Sequence, residues 1–204
     1  MKTQKISNIS LKMHIVLLCG YKGSGKDTFA KHLETQYNYK HMKISQPLKD
    51  SLKLLFNFND EQIEGHLKDV VDERWSITPR DAMIYIGTDI FQYKIQELIP
   101  NIKRSFWINM LCNKIEDNIE KNENIVVSDL RFQHELSHIQ DLKCKYPTIN
   151  ISVVKIVRPS LQIYYDKLNH ESETEHLKFK FDKIIENNDV IEDYHKNINT
   201  LSLE

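Results

Sequence analysis

Long apolar runs are missing from this chain of 204 residues, and with them any segment near the ~20 residues needed to span a membrane as a helix. Cysteine is scarce. Cys19, Cys112 and Cys144 are odd in number and far apart, which argues against a disulfide framework and suits a reducing compartment. Neither sign of charge prevails: 28 Lys and Arg stand against 29 Asp and Glu, so no overall field draws the chain to nucleic acid or to a membrane surface. None of the nine histidines pairs with a cysteine at metal-binding spacing. Internal repeats and low-complexity linkers are absent. Residues 1–12 are polar and lack the apolar stretch of a signal peptide, so they read as a flexible leader.

Glycine is rare as well, five in all, yet three of the five fall in one short turn. Ile15 to Cys19 is a continuous apolar run, as expected of a strand buried on both faces. It gives way to Gly20, Tyr21, Lys22, Gly23, Ser24, Gly25, Lys26, Asp27 and Thr28, and then to an amphipathic stretch with Phe29, Ala30 and Leu33 on one face. Strand, glycine-rich turn and helix are the context of a phosphate-binding P-loop. Glycines let successive backbone N–H groups point at an anion, the helix N-terminus adds its positive dipole end, and Lys26 supplies an ammonium for the outer phosphates. The match is irregular: Asp27 holds the place of the usual Ser or Thr, and Thr28 comes one residue late. Asp27 can hold Mg²⁺ directly or through water, because Mg²⁺ takes hard oxygen ligands and keeps several waters. Cys19, inside the strand, reads as a small core residue.

Strands are expected at 14–19, 40–44, 124–128, 151–157 and 183–186. Helices are expected at 26–37, from Pro47 onward, at 60–67, from Thr78–Pro79 to Ile95, at 105–121, at 131–145 and after Asp189. Strands alternating with helices point to a parallel α/β sheet with helices on both faces. Residues 58–78 and 158–180 are charged, show little periodicity and do not resemble core. In a P-loop enzyme such inserts form substrate-binding flaps and mobile lids; the plainer alternative is surface loop.

The segment ENIVVSDLR sets Asp129 just past a buried strand, where ligands of doubly wound sheets bind. A strand ending in Asp resembles the Walker B element that orients Mg²⁺ or its waters, although many such residues only cap a helix. Arg131 would enter the same cleft, with a planar fork suited to phosphate; its plain alternative is a surface ion pair. Lys49, Arg80 and Arg158 sit at helix starts and strand ends, where a phosphate-rich cleft would lie. Each taken alone reads equally as a solvated charge. Trp107 could stack on a base or serve the core. His170, Glu171, Ser172 and Glu173 suggest a ribose or lid contact.

In consistent order from Val16 to Asp189, GYKGSGKDT, SQPLKDSL, TPRDAMIYIGTDIF, FWINM, VVSDLR, VRP and HESE resemble the phage-type deoxynucleoside monophosphate kinases, to which giant-virus proteins are similar. Asp in the GKDT loop is shared with that family. The resemblance implies a P-loop NTPase-like, three-layer α/β fold over residues 13–204, with acceptor-binding residues at about 45–100 and a lid at about 158–180. It implies transfer of the γ-phosphate of ATP to a deoxynucleoside monophosphate, with Mg²⁺ as cofactor and a viral chain working in host cytoplasm; it leaves a homodimer open. Carried over, Gly20, Lys22, Gly23, Ser24, Gly25 and Lys26 hold ATP with Arg158. Asp27, Thr28 and Asp129 serve the metal. Lys49, Arg80, Asp89, Trp107, Asp129 and Arg131 face the acceptor, and Lys26, Arg131 and Arg158 act on the transferring phosphate. Residues 58–78 match no family pattern and are short for the phage type. Two rival readings stand. Animal-type phosphomevalonate kinase shares the GKD loop, the SDxR element and an ESE-like stretch. A nucleotide-binding module without catalysis would need no second phosphate site.

Overall fold

The computed structural model describes residues 13–165 and 174–201. The expected leader at 1–12, the 170–173 motif and the centre of the expected lid lie outside the described residues. The first strand, β1 (His14–Cys19), is buried along its whole length. Residues buried on both faces require neighbours on both edges and helices above and below. Those neighbours are β2 (Lys40–Met42), β3 (Ile125–Val127), β4 (Asn150–Val157) and β5 (Lys183–Glu186), forming one five-stranded sheet of order β2-β3-β1-β4-β5. Every pairing is parallel, with Ile15 beside Ile125 on one side and beside Ile151 on the other.

Two apolar layers enclose the sheet. Helix α1 (Lys26–Tyr37) lays Phe29, Ala30 and Leu33 on one face, against Val16, Leu18 and Val126. The far face is covered by Trp107, Ile108, Leu111 and Ile115 of a helix at Phe106–Ile119, together with Leu136, Ile139 and Leu142 of a helix at Gln133–Lys145. Cys19 belongs to this core. Burial pushes its thiol up to about 12, so it is inert packing, and the three cysteines are free thiols. This is the three-layer α/β arrangement expected. Among the described residues no helix is long and apolar enough to cross a membrane.

Four departures from the sequence expectations have physical causes. Strand β2 is shorter than expected because the chain beyond it is drawn out of the sheet, where the Ile44 and Ser45 N–H groups donate to the Asp129 carboxylate; β3 is shorter by one residue at each end. The helix expected at 60–67 is broken into α3 (Asp60–Ile63) and a 3₁₀ turn at His66–Asp69. Residues 58–78 were expected to lack core, yet Phe58 and Ile63 are buried with Leu52 of α2 (Gln46–Phe56) and Ala82 of α4 (Pro79–Ile84) in a third, smaller apolar cluster. The helix expected from Thr78 to Ile95 opens at its Thr78–Asp81 capping box but turns π-helical over Tyr85–Tyr93. There the Gly87 carbonyl accepts from the indole N–H of Trp107 at 2.8 Å, and Leu48 packs so closely on Gly87 that a methyl group would meet it at 2.5 Å. π turns inside helices concentrate at functional sites, and this one carries the GTD segment.

Helices α5 (Phe106–Ile119), α6 (Gln133–Lys145), α7 (Gln162–Tyr165) and α8 (Ile191–Asn199) complete the fold. Ile15 is wholly buried in the central strand, whereas Leu54 is 85% exposed. Ile15→Ala is expected to cost about 2–5 kcal/mol by denaturant unfolding, and Leu54→Ala no more than about 0.5 kcal/mol. Equal effects would contradict this placement of the core.

Candidate active site

Pairing of β1 with β3 brings Asp129 beside the glycine-rich turn at the carboxyl edge of the sheet. The turn is tightly constrained. Gly20 has φ +142°, and a methyl group there would lie 2.5 Å from the Ile156 carbonyl oxygen. Gly25 has φ +107°, and a methyl group would lie 2.5 Å from Asn187 Nδ2. Two residues missed in the sequence brace the turn from behind. Asn187 Nδ2 donates to the Ser24 carbonyl at 3.0 Å, and the Tyr194 hydroxyl donates to the Gly25 carbonyl at 3.1 Å. Lys26 arches back and donates to the Gly20 and Tyr21 carbonyls, each at 2.7 Å. Arg158, on the other rim, donates to the Gly23 carbonyl at 2.9 Å and pairs with Asp189. Gly23, Lys26, Thr28, Arg158, Asn187 and Tyr194 line a cleft of about 360 Å³ beside the turn. A larger groove runs along the outer side of α1 from Asp27 and Thr28 past His32 and His195.

Asp27 opens α1 and is the hub of a polar chain. Its Oδ1 accepts from Ser128 Oγ at 2.9 Å and meets Lys43 Nζ at 2.9 Å. Burial works to raise the Asp27 pKa, but Lys43 and Ser128 outweigh it and hold the carboxyl below its ordinary value. His41 Nε2 lies 2.7 Å from Ser128 Oγ. Because Ser128 gives its proton to Asp27, the ring must donate at Nε2. Burial, aided by Lys43, lowers the His41 pKa despite the pull of Asp27, which favours the neutral ring at pH 7. Thr28 is exposed beside Asp27. A carboxylate and a hydroxyl are hard oxygen donors, and the Lys43 ammonium already sits on Asp27 as a cation would, so these residues fit Mg²⁺. Asp129 is differently engaged. One oxygen accepts from Ile44 N at 2.7 Å, the other from Ser45 N at 3.0 Å and Ser45 Oγ at 2.7 Å. That carboxylate fixes the entry to α2. Among the described residues no cluster of three or more His, Cys, Asp or Glu could hold a metal.

A second group of cations faces the turn from the insert. Lys49 of α2 meets Glu64 at 2.7 Å, and Arg80 of α4 grips both oxygens of Asp69. Lys22 of the turn is close enough to lower the Asp69 pKa together with Arg80 and Lys68. Arg131 follows Asp129 by two residues and is half-buried. Its backbone N–H and that of Phe132 donate to Glu135 at 2.9 Å each. Burial pushes Glu135 up to about 7, even though those N–H groups favour its charged form. Asp89 is exposed on the π turn. Trp107 is buried against Phe91 and Phe106, and its indole N–H donates to the Gly87 carbonyl, so it shapes the GTD segment from behind.

The deoxynucleotide monophosphate kinase family profile matches residues 58–198. A protein of Acanthamoeba polyphaga mimivirus, provisionally named a deoxynucleotide monophosphate kinase, is 32% identical over 91% of this chain and 94% of its own length. Solved kinases are more distant. The APS kinase of Mycobacterium tuberculosis, in complex with AMPPNP and APS, is 10% identical over 92% of this chain and 96% of its own, with a TM-score of 0.49. The dephospho-CoA kinase of Campylobacter jejuni is 17% identical over 91% and 93%, with a TM-score of 0.45. Likeness at that level says nothing of substrate. The chain belongs to the deoxynucleotide monophosphate kinase family and is a nucleotide kinase.

The brace behind the turn is open to test. Gly25→Ala should cost about 1–3 kcal/mol through its positive φ alone; with the clash against Asn187, ATP affinity should fall at least tenfold. Asn187→Ala, which removes one hydrogen bond, should cost only about 0.5–1.5 kcal/mol. Thermal melts and ATP titration of both variants decide, and an unimpaired Gly25→Ala would contradict the geometry.

Proposed function

We propose that the chain transfers the γ-phosphate of ATP to a deoxynucleoside 5′-monophosphate, giving ADP and the deoxynucleoside diphosphate that feeds DNA synthesis. The observation that carries this reading is a second cationic site. Beside the glycine-rich turn, which suits ATP, Lys49 of α2 and Arg80 of α4 form a separate pair of cations, each held by a carboxylate, Glu64 or Asp69, that a phosphate could replace. A module that only held ATP would need no such group.

Donor phosphates would lie along the turn and the N-terminus of α1. Lys26, now resting on two carbonyls, would swing to the β- and γ-phosphates, and Arg158 would close on them from the opposite rim. Mg²⁺ would be held by Asp27 and Thr28, with Asp129 ordering water; bound there, it neutralises charge on the transferring phosphate. Lys43 would yield its place on Asp27 and turn to phosphate oxygen. The acceptor needs no general base, since a monophosphate is nearly a dianion at neutral pH. Catalysis is therefore alignment and charge neutralisation of an in-line transfer. Arg131, four residues past β3, would span donor and acceptor, while Lys49, Arg80 and Asp89 would face the acceptor side. Closure of the 158–180 segment would exclude water, which otherwise competes for the γ-phosphate.

ADP release should depend on a deoxynucleoside monophosphate and not on phosphomevalonate; the reverse preference would overturn the proposal in favour of its enzymatic rival. Lys26→Ala should lose turnover by several orders of magnitude. Asp27→Asn should raise the Mg²⁺ requirement. Arg131→Lys should lose about ten- to a hundredfold in kcat/KM for the acceptor while ATP affinity holds, because an ammonium cannot copy a bidentate fork. Normal kinetics in Arg131→Lys would reduce that residue to a surface ion pair.

A further inference from the structure

Lys68 stands apart from the other cations of the site. It lies in the 3₁₀ turn His66–Asp69, inside the stretch 58–78 that matched no sequence pattern. It is half-buried. Lys49 rests on Glu64, Arg80 on Asp69, Lys43 on Asp27 and Arg158 on Asp189. Among the described residues the Lys68 ammonium has no hydrogen bond and no ion pair. Its surroundings are cationic: Lys49 from α2, Arg80 from α4 and Lys22 from the glycine-rich turn act on it, with Glu64 as the opposing carboxylate. Neighbouring Asp69 is taken up by Arg80. An ammonium removed from water, without a partner and among like charges, is costly unless an anion completes the group.

We propose that Lys68 is a direct ligand of the acceptor phosphate, completing a four-cation cradle with Lys22, Lys49 and Arg80. This rests on the reading of the chain as a monophosphate kinase and adds to it a residue that the insert alone supplies. The cradle is built from four separate elements, so it forms only when the insert is folded against α4. That gives the third apolar cluster, with Phe58 and Ile63, a functional purpose: it holds the Lys68 turn in place. A monophosphate dianion would replace the contacts that Lys49 and Arg80 make with Glu64 and Asp69, and would give Lys68 a counter-charge.

A consequence in pH follows from the same crowding. Burial, with Lys49 and Arg80 adding to it, pushes the Lys68 ammonium down to about 8 in the free protein. Acceptor affinity should therefore be full near pH 7 and fall as pH rises through about 8 to 9.5. The acceptor phosphate is fully ionised across that range. Arg80 holds the Asp69 carboxyl below its ordinary value and Asp69 holds the Arg80 guanidinium above its own, so neither of that pair changes charge in this range.

Binding of dAMP, dCMP and inorganic phosphate to the full chain, measured by calorimetry from pH 7 to 9.5, tests the proposal alongside ATP binding and dNMP-dependent ADP release. The bases of dAMP and dCMP do not titrate in this range. Lys68→Met should lose about ten- to a hundredfold in monophosphate affinity at pH 7.5 with ATP affinity intact. Lys68→Arg should keep affinity within a few-fold and lose the alkaline decline. If Lys68→Met fails to fold, the pH profile of Lys68→Arg decides. Monophosphate binding unchanged in Lys68→Met, or an alkaline decline that persists in Lys68→Arg, overturns the role of Lys68 and leaves the kinase reading standing. Wild-type protein that turns over no monophosphate at all would instead overturn the kinase reading.

Discussion

Crowding of positive charge at the carboxyl edge of a parallel sheet is the constraint on which the rest of this structure depends. Lys26, Lys43, Lys49, Arg80 and Arg158 lie on elements around that edge, and the fold supplies oxygen for each. It does so with groups that could be exchanged for phosphate oxygen: carbonyls of the glycine-rich turn for Lys26, and Asp27, Glu64, Asp69 and Asp189 for the others. Several of these pairs are exposed, and exposed ion pairs contribute little to stability. They keep the site assembled without making an incoming anion costly to admit. Asp129 has the opposite character. Its oxygens are committed to three donors around the start of α2, which ties Lys49 on that helix to the segment after β3 and so to the glycine-rich turn.

Much of the glycine-rich turn and its flanking strand and helix was legible in the sequence because the determinants are local. Five consecutive apolar residues can be only a buried strand in this context, and Gly20, Gly25 and Lys26 carry the loop by their own stereochemistry. The approach of Asp129 was conditional on β3 lying beside β1, and the sheet order meets that condition. The Thr78–Pro79 helix start was legible for the same reason: a cap and its Asp81 partner lie within one turn.

What could not be read is tertiary. Asn187 and Tyr194 brace the turn from more than 160 residues away, and neither lies in a motif. Lys43 and Lys68 are single members of the chain's most ordinary charge class. Only folding places one against Asp27 and the other among cations. The insert's core escaped notice because Phe58, Ile63 and Ile77 are isolated apolar residues whose partners, Leu52 and Ala82, belong to flanking helices. The π turn escaped because apolar spacing at 83–95 suits either helical form, and the Trp107 indole that bonds the Gly87 carbonyl within it comes from a separate helix. For Trp107 the sequence left base stacking and core open, and the fold gives the ring a core position beside Phe91 and Phe106.

The central claim is that two anion sites, one for ATP and one for a monophosphate, open into a single cleft. A bisubstrate analogue that joins adenosine to a deoxynucleoside through an oligophosphate chain tests it without relying on turnover. Calorimetry of that analogue should give a dissociation constant at least a hundredfold below that of ATP, because the second binding event becomes intramolecular. Both ATP and a deoxynucleoside monophosphate should then displace it. An analogue that binds no tighter than ATP, or that a monophosphate cannot displace, would contradict the account.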